Sequence, residues 1–265
     1  MDFIKTLNQK EQRLGKEKYN NQGCLMKIIA YNSATDIFVE FQDKYKCQIN
    51  CEYKQFKNGN LVNPYSPNVF NKGMIGNKYS CREDNKDCKE YIIWHSMLSR
   101  CYSNYTKSRQ HSYQNVLCCE EWLLFDNFYE WLHSQTNFKK WKNLSRGALD
   151  KDILVKGNKI YSPQTCCLVP NNVNALFTKR NVHRGNTPIG VSYHKRDRIY
   201  EAHCNDGSGI PQYLGRYSTS EEAFNAYKTY KESLIKQIAN NEYLNKSITK
   251  ECYEAMMKYI VEITD

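Results

Sequence analysis

The stretch from residue 189 to residue 238 constrains the fold more than any other, because three strand-like segments run straight into a helix-start signal. Ile189–His194, Arg198–Cys204 and Gln212–Tyr217 alternate apolar and polar side chains, the period that buries one face of a sheet. Lys195-Arg196-Asp197 and Asn205-Asp206-Gly207-Ser208-Gly209 separate them and are turn-forming residue types. Thr219-Ser220-Glu221-Glu222 then has the spacing of a capping box, in which hydroxyl and carboxylate satisfy two free amides at a helix start. It opens a helix over 220–238 with Ala223, Phe224, Ala226, Tyr227, Tyr230 and Leu234 on its apolar side. A three-stranded sheet with one helix laid across it is the expected outcome.

The rest of the chain has other periods. Residues 1–22 are polar and lysine-rich. Leu25–Tyr31, Asp36–Phe41 and Lys46–Cys51 read as short strands, and three of them within forty residues suggest a small antiparallel β-barrel. Residues 58–80, with Pro64, Pro67 and several glycines, read as a linker. Residues 89–101 are helical, with Tyr91, Ile92, Trp94, His95, Leu98 and Cys101 recurring every three to four positions. Residues 119–134 form a second amphipathic helix, and 249–261 a last one. His95 and His133 fall on apolar helix faces, where core packing is the expected role. The fold class is therefore α+β. The expected modules are an accessory barrel over 1–80, a central module over 88–180, the sheet and helix over 183–238, and a terminal helix over 239–265.

No run of about 18 apolar residues exists, which argues against a membrane-spanning helix. The start, Met1-Asp2-Phe3-Ile4-Lys5, has no apolar signal core, so a cytoplasmic location is expected. The 38 basic and 28 acidic residues leave a charge of +10. Residues 1–87 carry 14 basic and 10 acidic side chains, residues 88–180 carry 13 and 7, and residues 181–265 carry 11 of each. The excess is concentrated in the middle of the chain and favours a polyanionic partner through counterion release. The 12 cysteines include no Cys-x-x-Cys, only the adjacent pairs 118–119 and 166–167 and a loose Cys47-x3-Cys51. Structural zinc usually needs paired ligands two to four residues apart, so zinc is not expected and reduced thiols are.

The central module carries the chemistry. Ala148-Leu149-Asp150-Lys151-Asp152-Ile153-Leu154 reads as a strand through Leu154. Lys156-Gly157-Asn158-Lys159 reads as a turn, Ile160-Tyr161 as a second strand, and Pro170 opens a helix across Asn171–Phe177. Asp150 and Asp152 would share one strand face. Strand, turn, strand and helix, together with Trp94-x2-Met97-x2-Arg100-Cys101, Val116-x2-Cys119-x2-Trp122 and Phe125-x2-Phe128 upstream, resemble the HNH endonucleases of phages and homing elements. The resemblance covers roughly residues 89–180. It implies a ββα-metal module that cleaves or nicks duplex DNA with Mg²⁺ or Mn²⁺, in a phage-encoded protein acting in a bacterial host cell. Under it, Asp150 and Asn174 would be metal ligands, Lys151 would stand in the base position beside Asp152, and Asn158 would orient that base. Members with a clear active site have Asp-His where this chain has Asp150-Lys151, and a protonated lysine neither ligates a metal nor accepts a proton. His111 is the candidate to replace the histidine from elsewhere.

Pro188-Ile189-Gly190-Val191, Arg198-x-Tyr200-x-Ala202, Tyr213-Leu214-Gly215-Arg216-Tyr217 and Glu221-Glu222-Ala223-x2-Ala226-Tyr227 resemble the Apetala/ethylene-response-factor DNA-binding domain. That resemblance implies a sheet that enters the major groove, with Lys179, Arg180, Arg184, His194, Lys195, Arg196, Arg198, Tyr200, Tyr213 and Arg216 at the nucleic acid. By strand period, Arg198 and Tyr200 would share a face.

Two functions follow. One is a metal-dependent HNH endonuclease acting on duplex DNA. The other is a binding protein on the same scaffold that has lost hydrolysis. It would be either a DNA-binding regulator or an antagonist of host defence that grips a defence protein, a nucleic acid or a nucleotide signal.

Overall fold

The computed structural model describes residues 10–178, 187–205, 211–263 and 265. The protein is α+β and divides into two compact units. One comprises Met1–His111 and Glu120–Tyr129, the other Ser112–Cys119 and Glu130–Asp265. No helix among the described residues is long and apolar enough to cross a membrane.

The first unit opens with β1 (Glu17–Tyr19), β2 (Leu25–Ser33), β3 (Asp36–Phe41) and β4 (Gln48–Cys51), antiparallel in that order. Met26, Ile28, Tyr31, Ile37, Val39 and Phe41 form the buried face, covered by Phe56 of α1 (Tyr53–Asn58) and by Leu61. The β2–β3 register slips between Ile28 and Ala30, so Tyr31 continues the buried row where strict alternation would place Ala30. The expected barrel is not closed. Among the described residues β1 and β4 are the two edges of an open sheet. Four short strands leave too little circumference for the edges to meet, and one helix covers the apolar face instead.

A hairpin of β5 (Arg82–Glu83) and β6 (Lys86–Asp87) turns on Asp84 and Asn85, both at positive φ. It leads into α2 (Lys89–Tyr102), which buries Trp94, Met97, Leu98 and Cys101 at helical spacing, and then α3 (Asn104–Arg109). The single helix expected over 119–134 is broken. A 3₁₀ turn at Glu121–Leu123 precedes α4 (Phe125–Ser134), and Leu124 between them is extended. Met74 takes the backbone there, donating to the Leu123 carbonyl at 2.8 Å and accepting from the Phe125 N–H at 2.9 Å. The Asp126 carboxylate collects the N–H groups of Asn77, Lys78 and Tyr79 at 3.1, 3.3 and 3.1 Å. Gly76 permits this approach: its φ is +83°, and a Cβ there would lie 2.0 Å from Asp126 Oδ2. His95 and His133 are not core residues. Both are exposed and rest on rings, His95 on Phe70 and His133 on Phe138.

The second unit contains β7 (Leu117–Cys118), α5 (Phe138–Lys142), β8 (Gly147–Asp150), β9 (Ile160–Tyr161), β10 (Cys167–Pro170) and α6 (Asn171–Phe177). It continues with β11 (Val191–His194), β12 (Ile199–Asn205), β13 (Pro211–Tyr217), α7 (Ser220–Leu244) and α8 (Lys250–Met257). Strand, strand and helix do follow one another, but with a different second strand from the one expected. β8 stops at Asp150 and pairs antiparallel with β10, Asp150 opposite Cys167, and α6 begins directly after Pro170. Ile160–Tyr161 pairs in parallel with Leu117–Cys118 instead.

α7 starts as its sequence dictates, with Thr219 and Glu222 forming the capping box. Its first half packs Ala223, Phe224 and Tyr227 under the sheet β11-β12-β13, against Val191, Ala202 and Cys204. Its second half runs past residue 238 because Ile235 and Ala239 are buried with Val169, Val173, Cys252 and Met256. Gly190 sits at φ +74°, where a Cβ would meet the Tyr227 ring at 2.0 Å. All 12 cysteines are free thiols and most are buried.

Candidate functional site

The end of β8 and the loop between β8 and β9 hold four of the residues singled out by sequence, Asp150, Lys151, Asp152 and Asn158. Strand β8 ends because Asp150 Oδ1 accepts the N–H groups of Asp152 and Ile153, at 2.7 and 2.8 Å. That turn overturns the expected common strand face for Asp150 and Asp152. Burial pushes the Asp150 carboxyl above the usual carboxylate range, opposed in part by the two N–H donors. Lys151 is buried, with 6% of its surface exposed. Its ammonium donates to both carboxylate oxygens of Asp152, at 2.8 and 2.7 Å, and to the Asn158 carbonyl at 2.7 Å. All three ammonium protons are therefore used.

Asn158 completes the loop. Its side-chain amide donates to the Lys151 carbonyl at 2.9 Å and the Ile160 carbonyl at 2.7 Å, and its Oδ1 accepts from the Ile160 N–H at 3.2 Å. It thus holds the backbone of residue 151 in place. Asn174 lies in the middle of α6, half-buried. The side chain of His111 lies outside the described residues.

The donor set does not fit a divalent cation. Both oxygens of Asp152 face an ammonium, and one oxygen of Asp150 is occupied by two amides. Lys151, the cation between them in sequence, offers no ligand atom.

The sheet β11-β12-β13 offers a different surface. Val191, Ala202 and Cys204 point into the core, so Ser192, His194, Glu201, His203, Tyr213 and Arg216 line the opposite face. Ser192, Glu201 and Arg216 stand in one cross-strand row, and His203 stands opposite Tyr213. Arg216 donates from Nε to Glu201 at 3.0 Å and lies 4.0 Å from Asp197. Asp197 also approaches His194 at 3.4 Å, and Glu201 approaches His203 at 3.5 Å. Although burial alone would raise the Glu201 pKa, the hydrogen bonds from His203 and Arg216 prevail and hold it below the usual carboxylate value.

Lys195, Arg196 and Arg198 lie in the β11–β12 turn, exposed, with no ion pair among the described residues. Arg198 belongs to this turn, at φ +55°, and not to the strand. It therefore does not share a face with Tyr200, which packs against Tyr193 and the core under the sheet. Lys179, Arg180 and Arg184 lie outside the described residues.

Sequence reasoning missed the acidic members of this face. Glu201 was legible as the position between Tyr200 and Ala202, and Asp197 as a turn residue, but a search for basic residues passes over carboxylates. No protein-family model, no curated protein and no solved structure matches the chain.

Proposed function

We propose that this protein binds duplex DNA through the outer face and the β11–β12 turn of its three-stranded sheet, and that its ββα module is a scaffold without hydrolytic activity. The observation that carries the second half is the Lys151 ammonium, buried and donating to Asp152 twice and to Asn158 once. An ammonium whose three protons are all engaged offers no lone pair with which to activate water.

The first half rests on the turn. Lys195, Arg196 and Arg198 place three exposed cations beside a face that carries Arg216, Glu201, His194 and His203. Cations hold phosphates and set register, while an arginine and a carboxylate in one cross-strand row are the groups that read guanine and cytosine edges. The chain's +10 charge adds long-range attraction.

The test is duplex binding in the presence of a chelator, followed across a salt series by fluorescence anisotropy. Binding without metal, with a steep decrease as salt rises, is the expected result. Tight binding of a mono- or dinucleotide with no duplex binding would instead support a protein that captures a nucleotide signal. Loss of all binding in the chelator, restored by Mg²⁺, would return the metal-dependent nuclease to first place.

A further inference from the structure

The segment that follows α8 ties together two parts of the second unit that are otherwise separate in sequence. Its Val261 is buried in the core under the sheet, and its Tyr259 packs against that core and against the ββα core. Helix α7 grips the segment from one side: Lys228 donates to the Val261 carbonyl at 2.9 Å, and Glu232 accepts from the Val261 N–H at 2.9 Å. Phe177 of α6 meets the Tyr259 ring edge-on at 4.9 Å.

From the other side comes Lys156, the middle of the loop that carries Lys151, Asp152 and Asn158. Its ammonium donates to the Ile260 carbonyl at 3.0 Å, to Glu262 at 2.9 Å and to Asp265 at 2.9 Å, and lies 5.0 Å from the Tyr259 ring centre. Asp265 is itself buried and also accepts from the Tyr259 hydroxyl at 3.4 Å and the Glu262 N–H at 3.0 Å. Lys156 thus satisfies three acceptors, one of them a buried carboxylate, and every one belongs to the same short segment.

We propose that residues 258–263 with Asp265 act as a strap that fastens the 151–159 loop to helix α7, so that ordering of the sheet-plus-helix module is passed to that loop. The physical basis is that Lys156 is the loop's hold on the strap while Val261 is the strap's hold on α7. A polar hold of this kind opens locally, at far lower cost than unfolding the unit. The coupling to DNA rests on the DNA-binding reading. The fastening of the loop does not.

The experiment is hydrogen exchange on the full chain, as wild type, Lys156→Ala and Asp265→Ala, each with and without a duplex oligonucleotide. Without DNA, both variants should exchange roughly tenfold faster at amides 151–159 while β11–β13 keep wild-type rates. Unchanged loop rates would overturn the strap, as would acceleration spread evenly through the unit. With DNA, the wild type should gain protection at β12 and at the loop, whereas Lys156→Ala should gain it at β12 alone. Protection of the sheet with no change at the wild-type loop would also overturn the strap. Absence of protection at the sheet would remove the DNA-binding reading, and the DNA-free comparison would then decide the strap by itself.

Discussion

Lys151 and Asn158 hold each other reciprocally: the Asn158 side-chain amide donates to the Lys151 carbonyl at 2.9 Å, and the Lys151 ammonium donates to the Asn158 carbonyl at 2.7 Å. The loop between β8 and β9 is closed by this pair in place of a strand pairing. Asn158→Ala removes both side-chain donations and the acceptor for the Ile160 N–H. It should destabilise the protein by about 1 kcal/mol, since the groups that lose partners are part-buried or exposed and water replaces much of each bond. Urea denaturation with an unchanged m-value would measure this.

Asp150 supplies a pH dependence whose sign is fixed by its surroundings. Burial raises its pKa in the folded state above that of the unfolded chain, so folding favours the protonated form. Its contribution costs nothing below the unfolded carboxylate pKa of about 4. As pH climbs through the raised folded value, stability is lost, and the loss is complete above it. Asp150→Asn keeps an oxygen for the Asp152 and Ile153 N–H groups without the charge. It should be at least as stable as the wild type at neutral pH, with the advantage disappearing near pH 4. Asp150→Ala, which orphans both N–H groups, should be destabilised at every pH.

On the sheet, the three turn cations and the paired Arg216 should behave differently. Replacing Lys195, Arg196 and Arg198 together by Ala should reduce the slope of log affinity against log salt by about 3, nearly one unit per lost phosphate contact. Glu201→Gln should do the reverse. It removes a negative charge from the face and releases Arg216, so affinity for duplex of arbitrary sequence should rise roughly fivefold while the selectivity supplied by the carboxylate is lost. Anisotropy titrations at several salt concentrations separate the two effects.

Asp126 is not among the residues of the proposed DNA-binding face, and its removal should be felt only in stability. Three backbone N–H groups converge on its carboxylate. Asp126→Ala should cost about 3 kcal/mol, because hydrogen bonds to a charged group are stronger than neutral ones and their donors are left unpaired. Thermal melting of the full chain would show the loss, with duplex affinity unchanged below the transition.

The legible parts of this fold were those fixed by local rules. Thr219 and Glu222 formed the capping box their spacing announces, and Val191, Ala202 and Cys204 alternate inward as strand period requires. Trp94, Met97, Leu98 and Cys101 line one helix face for the same reason. What sequence could not supply were partners distant along the chain. Nothing in Ile160-Tyr161 says that its neighbour is Leu117-Cys118, and nothing in Asp150 says that its carboxylate will cap a turn and end a strand. The same holds for Met74, which breaks the expected helix at Leu124. At the candidate site, residues 150, 151, 152 and 158 were found by sequence, but the ammonium's three acceptors depend on a loop path that no spacing rule encodes.

The most direct measurement incubates supercoiled plasmid with the pure protein, with Mg²⁺, with Mn²⁺ and with a chelator, and resolves the products on an agarose gel. A buried, fully bonded Lys151 predicts plasmid that is retarded in all three lanes and nicked in none. Nicking that requires the metal and disappears in Asp150→Ala would contradict that, and would show that this loop performs hydrolysis despite the lysine.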